Sequence, residues 1–158
     1  MPKIIKDAEG LIIKSGRKLF TGKDPRRFTT DRVARKSQMC KATLYKYIDS
    51  IDSLRKSVVL EDWAAAEEKL RKAMTVSSTP EERVSLLFIH LRKFANRYKN
   101  CTLNVFAGGG LLRSEIDITE RLCTFTGLPP FMVEVILCFA PMQNIQYEDI
   151  KDRLNKLF

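Results

Sequence analysis

A helical repeat of apolar residues beyond position 80 constrains the fold of this chain more than any other feature. Apolar side chains recur every three or four positions over residues 84–95, which is the spacing of one face of an α-helix. A start signal precedes the repeat, because Thr79 is a good N-cap, Pro80 suits the first helical position and two glutamates occupy the first turn. We therefore predict a helix over residues 80–98.

Helical patterns continue through the rest of the chain, and no convincing alternating strand pattern interrupts them. The further predicted helices cover residues 4–20, 30–36, 40–47, a long stretch from Asp49 or Ser50 to about 74, then 111–125, 131–139 and a last segment from 147. Gly10 and Gly16 each weaken the first helix by about 1 kcal/mol relative to alanine. The sequence thus predicts an all-α fold of about seven or eight helices.

Two domains are expected within this fold. Residues 1–60 form a three-helix N-terminal head, which the long fourth helix joins to a small helical C-terminal body, residues 61–158. The head holds 15 Lys and Arg against 6 Asp and Glu, whereas the body holds 13 of each, so the formal net charge of +9 lies entirely in the head. A basic segment beside a neutral one is typical of a head that meets polyphosphate. Charge alone fits DNA, RNA or an anionic membrane surface equally well.

Composition disfavours several classes of protein. The four cysteines are scattered without a CxxC pair and His90 is the only histidine, which argues against a zinc site and favours reduced thiols in a cytoplasmic protein. No apolar run is long enough to cross a bilayer, and no secretory signal is evident. No nucleophile with a plausible base and no phosphate-binding glycine loop can be named, so we expect neither an enzyme nor a bound cofactor.

The spacing of residues 28–54 favours DNA over the other polyanions. A short connection joins the helices predicted over 30–36 and 40–47, as in a helix-turn-helix, where the first helix braces against the DNA backbone and the second enters the major groove. The residues expected to lie inward are Val33, Ala34, Leu44 and Ile48. Those expected to face outward are Lys41, Thr43, Lys46 and Tyr47, whose ammonium, hydroxyl and phenol groups suit DNA contact.

A combined pattern runs through the head. It comprises Thr29-Thr30-x-x-Val33-Ala34, then Lys41-Ala42-Thr43-Leu44-Tyr45-Lys46-Tyr47-Ile48, then Ser50 and Leu54, with Leu19-Phe20 ending the first helix. Over about residues 4–60 this pattern resembles the N-terminal signature of the TetR family of bacterial transcriptional regulators. That signature pairs threonines before the bracing helix with a recognition helix reading Lys-Gly-Thr-Leu-Tyr-x-Tyr-Phe, followed by Ser-Lys-Glu-x-Leu.

Four positions depart from the signature. They are Gln38 in place of the turn glycine, Cys40 in place of the capping serine, Ile51 in place of a phosphate-contacting lysine, and Ile48 in place of phenylalanine. The first implies a turn that tolerates a side chain. The second weakens the helix cap by about 1 kcal/mol. The third removes a phosphate contact, for which Arg26, Arg27 or Arg32 would compensate.

The resemblance implies a role for each matching residue in binding double-stranded DNA. Thr30 and Tyr47 would meet phosphates, whereas Lys41, Ala42 and Thr43 would approach bases. Backbone or groove-wall contacts would come from Tyr45 and Lys46, and the expected set is completed by Thr29 and Arg32. Singly, each residue has an ordinary alternative, which is core packing for Tyr45 and a solvated helix face for the two lysines.

The body is expected to dimerise. In the resembled family, late helices form a dimer bundle and the body binds a small inducer, which implies a homodimeric repressor on a palindromic operator, released by an unknown signal for which a small-molecule effector of unknown identity is one candidate. Residues 111–125 and 131–139 are candidates for that bundle or, equally, for the core of one monomer. The residues that would line a pocket or instead fill the core are Trp63, Phe88, His90, Phe94, Tyr98 and Phe106. A second hypothesis is a DNA-bound adaptor of the same fold that recruits a protein partner and has no effector.

Overall fold

The computed structural model describes residues 7–100, 105–106 and 110–156. In those ranges all regular structure is helical, which confirms the predicted all-α class. The α-helices are α1 Ala8–Phe20, α2 Thr30–Lys36, α3 Lys41–Leu44, α4 Ile51–Thr75, α5 Pro80–Arg97, α6 Leu111–Glu115, α7 Ile118–Thr126, α8 Pro130–Phe139 and α9 Tyr147–Asn155, with a 3-10 turn at Pro25–Arg27. The chain divides into two compact units, Met1–Glu61 (unit 1) and Asp62–Phe158 (unit 2), one residue from the expected boundary.

Helix α1 owes its position in unit 1 to a glycine. The predicted start of this helix at residue 4 lies outside the described residues, and the helix observed begins after Asp7, whose side chain accepts a hydrogen bond from the Gly10 N–H. A Cβ on Gly16 would lie 3.3 Å from side-chain atoms of both Leu54 and Phe28. The absence of a side chain at Gly16 therefore allows α1 to pack closely against the unit 1 core, which offsets the cost of a glycine inside a helix.

Aromatic rings and an arginine close the core of unit 1. The rings of Phe20 and Phe28 pack with centroids 5.2 Å apart. The guanidinium of Arg55 lies over both, 5.8 Å from the first centroid and 5.2 Å from the second. Arg55 belongs to α4, whose start is fixed by Ser50, because the Ser53 N–H donates to the Ser50 hydroxyl at 3.0 Å. Of the two caps that the sequence offered for this helix, Ser50 is therefore the one used.

The predicted third helix over residues 40–47 is shorter in the structure. Regular α-helix ends at Leu44, and residues 45–47 continue as turns. The N–H groups of Lys46 and Tyr47 bond three residues back, to the carbonyls of Thr43 and Leu44. Tightening to this spacing is common at the ends of helices, where carbonyls lack partners. The residues expected on the recognition helix thus occupy one helical turn followed by a tighter one.

Helix α5 of unit 2 begins as the sequence predicted and ends one residue earlier. The Thr79 hydroxyl accepts from the Glu82 N–H at 3.2 Å, and the Glu82 carboxylate accepts from the Thr79 N–H at 3.3 Å, so the cap is reciprocal. The apolar face of the repeat over residues 84–95 is buried.

Five of the six proposed pocket residues of unit 2 are buried in its core. The ring of Trp63 packs edge-on against Phe94 and Phe106, with centroids 5.3 and 5.9 Å away. Tyr98 packs against Phe94 at 5.2 Å. Phe88 is also buried, whereas His90 is half-buried and its Nδ1 lies 2.9 Å from the carbonyl of Leu86. These contacts favour core packing over pocket lining for the four buried rings other than Phe88, which also borders a surface cavity beside α9.

The helix predicted over residues 111–125 is two helices in the structure. Ile116 is extended and separates α6 from α7. Asp117 then caps α7 by accepting from the Glu120 N–H at 3.0 Å. At the other end, Gly127 has φ 69°, a left-handed conformation that suits glycine and ends the helix before α8. The inner face of α8 is buried within unit 2, so at least that face completes the core of the monomer.

Two buried carboxylates of α4 are fully partnered within unit 2. The Glu67 side chain, only 5% exposed, accepts hydrogen bonds from the Trp63 ring N–H and from the guanidinium groups of Arg71 and Arg121, at 2.9–3.1 Å. The equally buried Asp62 accepts from the Tyr98 hydroxyl at 2.7 Å and forms an ion pair with Arg97. The sequence pattern of α4 did not indicate these networks.

Two further arginines of α5 satisfy carbonyls at helix ends. Arg83 donates to the carbonyl of Thr126 at the end of α7 at 3.0 Å. Arg92 donates to the carbonyls of Ala140 and Met142 after α8, at 2.9 and 3.0 Å.

Among the described residues no single helix is both long and apolar enough to cross a bilayer. The pair α7 and α8 reaches that composition only together, and the two are bent by 116° at the break between them.

Candidate nucleic-acid interface

Helix α2 presents its N-terminus beside threonine hydroxyls and buries its other side. The Thr29 hydroxyl accepts from the N–H of Arg32 at 3.4 Å, which makes Thr29 the N-cap. Val33 and Ala34 are buried, as expected for the face that holds the two helices together. Arg32 is exposed, and Thr30 is half-buried.

The turn after α2 has the backbone of a glycine turn although its central residue is glutamine. Gln38 has φ 58°, in the left-handed region. Its N–H bonds the carbonyl of Arg35 at 3.1 Å, and the next N–H, of Met39, bonds the carbonyl of Ala34 at 2.9 Å. Together these two bonds form a Schellman motif, and the buried Met39 and Ala34 supply its usual apolar pair. The turn therefore accommodates a side chain at position 38, at the cost of strain in the backbone of Gln38.

Helix α3 begins at a cysteine that provides no hydrogen bond to the helix N-terminus. The N-cap is Cys40, and its side chain makes no capping bond. Its Sγ instead lies 3.1 Å from the Thr43 Oγ1, and a hydrogen bond from Thr43 is the main cause that lowers the pKa of the exposed Cys40 thiol. Of the framework residues of α3, Leu44 is fully buried.

Two polar contacts join α2 to the segment that begins with α3. The Lys41 Nζ lies 2.6 Å from a carboxylate oxygen of Asp31, and both side chains are more than half exposed. This hydrogen bond and the charge of Asp31 raise the pKa of Lys41. The hydroxyls of Thr30 and Tyr45 lie 3.2 Å apart. In these two contacts Asp31 holds the predicted contact residue Lys41, and the predicted contact residues Thr30 and Tyr45 hold each other.

Most of the predicted DNA-contacting side chains are accessible. Tyr45 is 51% exposed and Tyr47 is 42% exposed, so the alternative that placed Tyr45 in the core is wrong. The other exposed members are Thr29, Arg32, Lys41, Ala42 and Lys46, while Thr30 and Thr43 are half-buried. The nine residues lie in 29–32 and 41–47, at the start of α2 and along α3 with its tighter turn. They surround the buried residues Val33, Ala34 and Leu44, whereas Ile48, also expected to lie inward, is half-buried.

Sequence reasoning missed Asp31 as a member of this surface. Its carboxylate neutralises part of the charge of Lys41, which is the first residue of α3. The signal available was its position directly after the threonine pair, because an acidic residue in the first turn of a helix is exposed and favoured by the helix dipole.

The arginines expected to compensate for Ile51 differ in their surroundings. Arg26 is 92% exposed, and its Nε lies 3.0 Å from a carboxylate oxygen of Asp24. Arg27 is exposed and lines a cavity of about 480 Å³ with other basic side chains.

No protein-family model matches the chain, and comparisons with curated proteins and with solved structures gave no match either. In the part of the chain that the structure describes, no three histidine, cysteine or carboxylate side chains are grouped so that they could hold a metal ion.

Proposed function

We propose that unit 1 binds double-stranded DNA through the surface formed by residues 29–32 and 41–47. The observation that carries this proposal is the combination of exposure and chemistry on that surface, where hydroxyls, phenols and ammonium groups stand over a buried framework of Val33, Ala34 and Leu44. The first residues of α3, which are Lys41, Ala42 and Thr43, would approach base edges in the major groove. Phosphates would be met by Thr30, Tyr47 and the exposed Arg32.

The distribution of charge supports the same proposal. The whole net charge of +9 is carried by residues 1–60. Cations on one unit attract the phosphate backbone and give affinity that depends steeply on salt, whereas a few groove contacts supply sequence preference. An anionic membrane surface would instead favour a helix with a broad exposed apolar face, whereas Ala8, Ile12 and Phe20 of α1 are buried.

The biological role we propose is that of a cytoplasmic transcriptional regulator of the TetR type. One half-site per head requires two heads, so the protein would act as a homodimer on a palindromic operator. Repression, released by a signal that shifts the dimer to a conformation unsuited to the operator, is the expected mode of action. This role includes no catalytic step.

Binding to duplexes tests the proposal. Oligonucleotides selected from a random library, together with the DNA upstream of the protein's own gene, are titrated with the full chain and followed by gel shift and fluorescence anisotropy. We expect Lys41→Ala to weaken binding to the selected duplex by about 1–3 kcal/mol. Tyr47→Phe removes one phosphate hydrogen bond and costs about 0.5–1.5 kcal/mol.

The matched control is Lys69→Ala, which removes an exposed lysine from unit 2. It is expected to leave affinity unchanged. If Lys41→Ala and Tyr47→Phe both bind as tightly as the wild type, the proposed surface is wrong.

A further inference from the structure

Unit 1 contains a concave basic surface outside the proposed DNA-contacting residues. A cavity of about 480 Å³ lies between the end of α1, the following turn and the end of α2, and is hereafter the basic cavity. Four cationic side chains line it, together with one carboxylate: Lys18, Lys23, Arg27, Lys36 and Asp24. Its volume falls in the range of about 300–1,000 Å³ that is typical of small-molecule sites.

The charges of the lysines are not neutralised within the described part of the chain. No carboxylate there forms an ion pair with Lys18, Lys23 or Lys36, and all three are exposed. The Asp24 carboxylate is already engaged, because it accepts from the Arg26 N–H at 3.2 Å and from the Arg26 Nε at 3.0 Å. The hydrogen bond from the Arg26 side chain is the main cause that lowers the pKa of Asp24. The basic cavity therefore keeps an excess of positive charge.

We propose that the basic cavity binds adjacent phosphate groups. Lysines attract phosphate as point charges, and a guanidinium binds its oxygens through a pair of parallel N–H donors, which Arg27 would supply. A concave wall of one sign of charge concentrates anions more than a flat surface does. The excess charge favours a ligand with two or more negative charges, such as a pyrophosphate group or two consecutive phosphodiesters of nucleic acid. Only the nucleic-acid source rests on the proposed function.

Lys18 and Lys36 have a second effect that the experiment must separate. Each lies in the last turn of its helix, where a cation also offsets the partial negative charge of the helix end. The cavity variant is therefore Lys18→Ala/Lys36→Ala, and the matched control is Lys14→Ala/Arg35→Ala, which removes two exposed cations from the same two helices outside the cavity. Lys23→Ala, in the turn between helices, provides a third variant with no helix-end effect.

The first measurement is calorimetric titration of the full chain with pyrophosphate at constant ionic strength. We expect saturable binding to the wild type and to the control, with at least tenfold weaker binding to Lys18→Ala/Lys36→Ala and a smaller loss in Lys23→Ala. Equal pyrophosphate affinity in the wild type and in both cavity variants would overturn the proposal. Thermal unfolding of each variant confirms that the folded chain is being compared.

The second measurement identifies the source of the phosphates, using the salt dependence of duplex binding. If DNA supplies them, the cavity variant lowers the slope of log affinity against log salt by about 1.8 relative to the control, and pyrophosphate competes with the duplex. If a free phosphorylated compound supplies them, the two slopes agree and pyrophosphate binds the protein–DNA complex as well. Either result supports the site. Pyrophosphate binding without any duplex binding supports the basic cavity while contradicting the proposed function.

Discussion

At the scale of single residues, Gln38 shows how a turn is kept without its usual glycine. Its departure from the family pattern predicted a turn that accepts a side chain, and the structure gives the physical form, a left-handed backbone closed by two hydrogen bonds. Left-handed backbone costs a residue with a Cβ about 1–2 kcal/mol. The Schellman bonds and the burial of Met39 offset that cost.

Replacing this glutamine by glycine tests the strain directly. We expect Gln38→Gly to increase the free energy of unfolding by about 0.5–1 kcal/mol, because the relief of strain exceeds the extra chain entropy that glycine brings to the unfolded state. Urea denaturation of the full chain measures the change. Lys36→Gly is the control, since α2 has ordinary helical torsions there and glycine costs about 0.5–1 kcal/mol. A Gln38→Gly variant that is less stable than the wild type would show that the turn is unstrained.

At the scale of elements, the contact between α2 and α3 combines a buried apolar seam with two exposed polar pairs. The seam followed from the spacing of Val33, Ala34 and Leu44. The pairs did not, because polar side chains ten and fifteen residues apart leave no periodic signal. They matter for function because the Asp31 carboxylate holds the amine of Lys41 at 2.6 Å. The same carboxylate places a negative charge on the surface proposed to face the DNA phosphates.

Asp31→Asn is expected to strengthen binding to duplexes of any sequence. Loss of the Asp31 carboxylate raises the net positive charge of the DNA-facing surface by one, which neutralises one more phosphate, so the salt slope steepens by about 0.9. Discrimination between selected and random duplexes is expected to fall, since the added affinity is independent of sequence. Anisotropy titrations at four salt concentrations measure both quantities. Asp49→Asn removes the same charge from another exposed position of unit 1. If the two variants have the same slope, the ion pair has no part in binding.

Local chemistry explains which elements the sequence predicted well. The cap at Thr79 and the repeat after it lie within one segment, so the start of α5 was predicted to the residue. The division between α6 and α7 was missed although Asp117 followed by Glu120 is itself a start signal, because the apolar pattern appeared to continue through it. The short α3 was missed for a different reason: its last turn tightens as the chain leaves toward α4, which helical spacing does not reveal.

At the scale of the whole molecule, charge is handled differently in the two units. Most cations of unit 1 that the structure describes are exposed, whereas unit 2 buries two carboxylates that arginines partner. Pairs such as Glu67 with Arg121 join residues 54 positions apart, and no local pattern predicts such a contact. The sequence established that the body is neutral, and the structure shows that part of that neutrality is built into its interior.

The buried Glu67 gives unit 2 a defined dependence on pH. Burial raises the pKa of this carboxyl, but hydrogen bonds and charge from Arg121, with bonds from Arg71 and Trp63, lower it further, so the folded pKa lies below the ordinary value of 4.5. A carboxyl whose pKa is lower in the folded than in the unfolded chain stabilises the fold at pH values above its unfolded pKa. That contribution is lost as the pH falls through the folded pKa. We therefore expect stability to decline with acidity below about pH 4.5.

Glu67→Gln separates this contribution from general acid unfolding. At pH 7 the variant is expected to lose about 1–3 kcal/mol, because the buried amide forms weaker hydrogen bonds with the two arginines than the carboxylate does, while water satisfies part of these half-exposed guanidinium groups. The difference from the wild type narrows as pH falls from 5 to 3, as followed by urea denaturation. Glu68→Gln, an exposed neighbour, should show neither effect. A constant difference between Glu67→Gln and the wild type across this pH range would contradict the assignment.

The turn at Gln38 also bears on how such chains are grouped. Residue patterns for two-helix turns of this type commonly specify glycine at the position that adopts positive φ, yet here glutamine adopts the same torsion and the same pair of hydrogen bonds. This position therefore requires a backbone conformation rather than a particular residue type. A residue other than glycine can occupy it where contacts at the neighbouring helix ends offset its strain. A turn pattern defined by backbone torsions would include such chains, whereas a pattern defined by residue type excludes them.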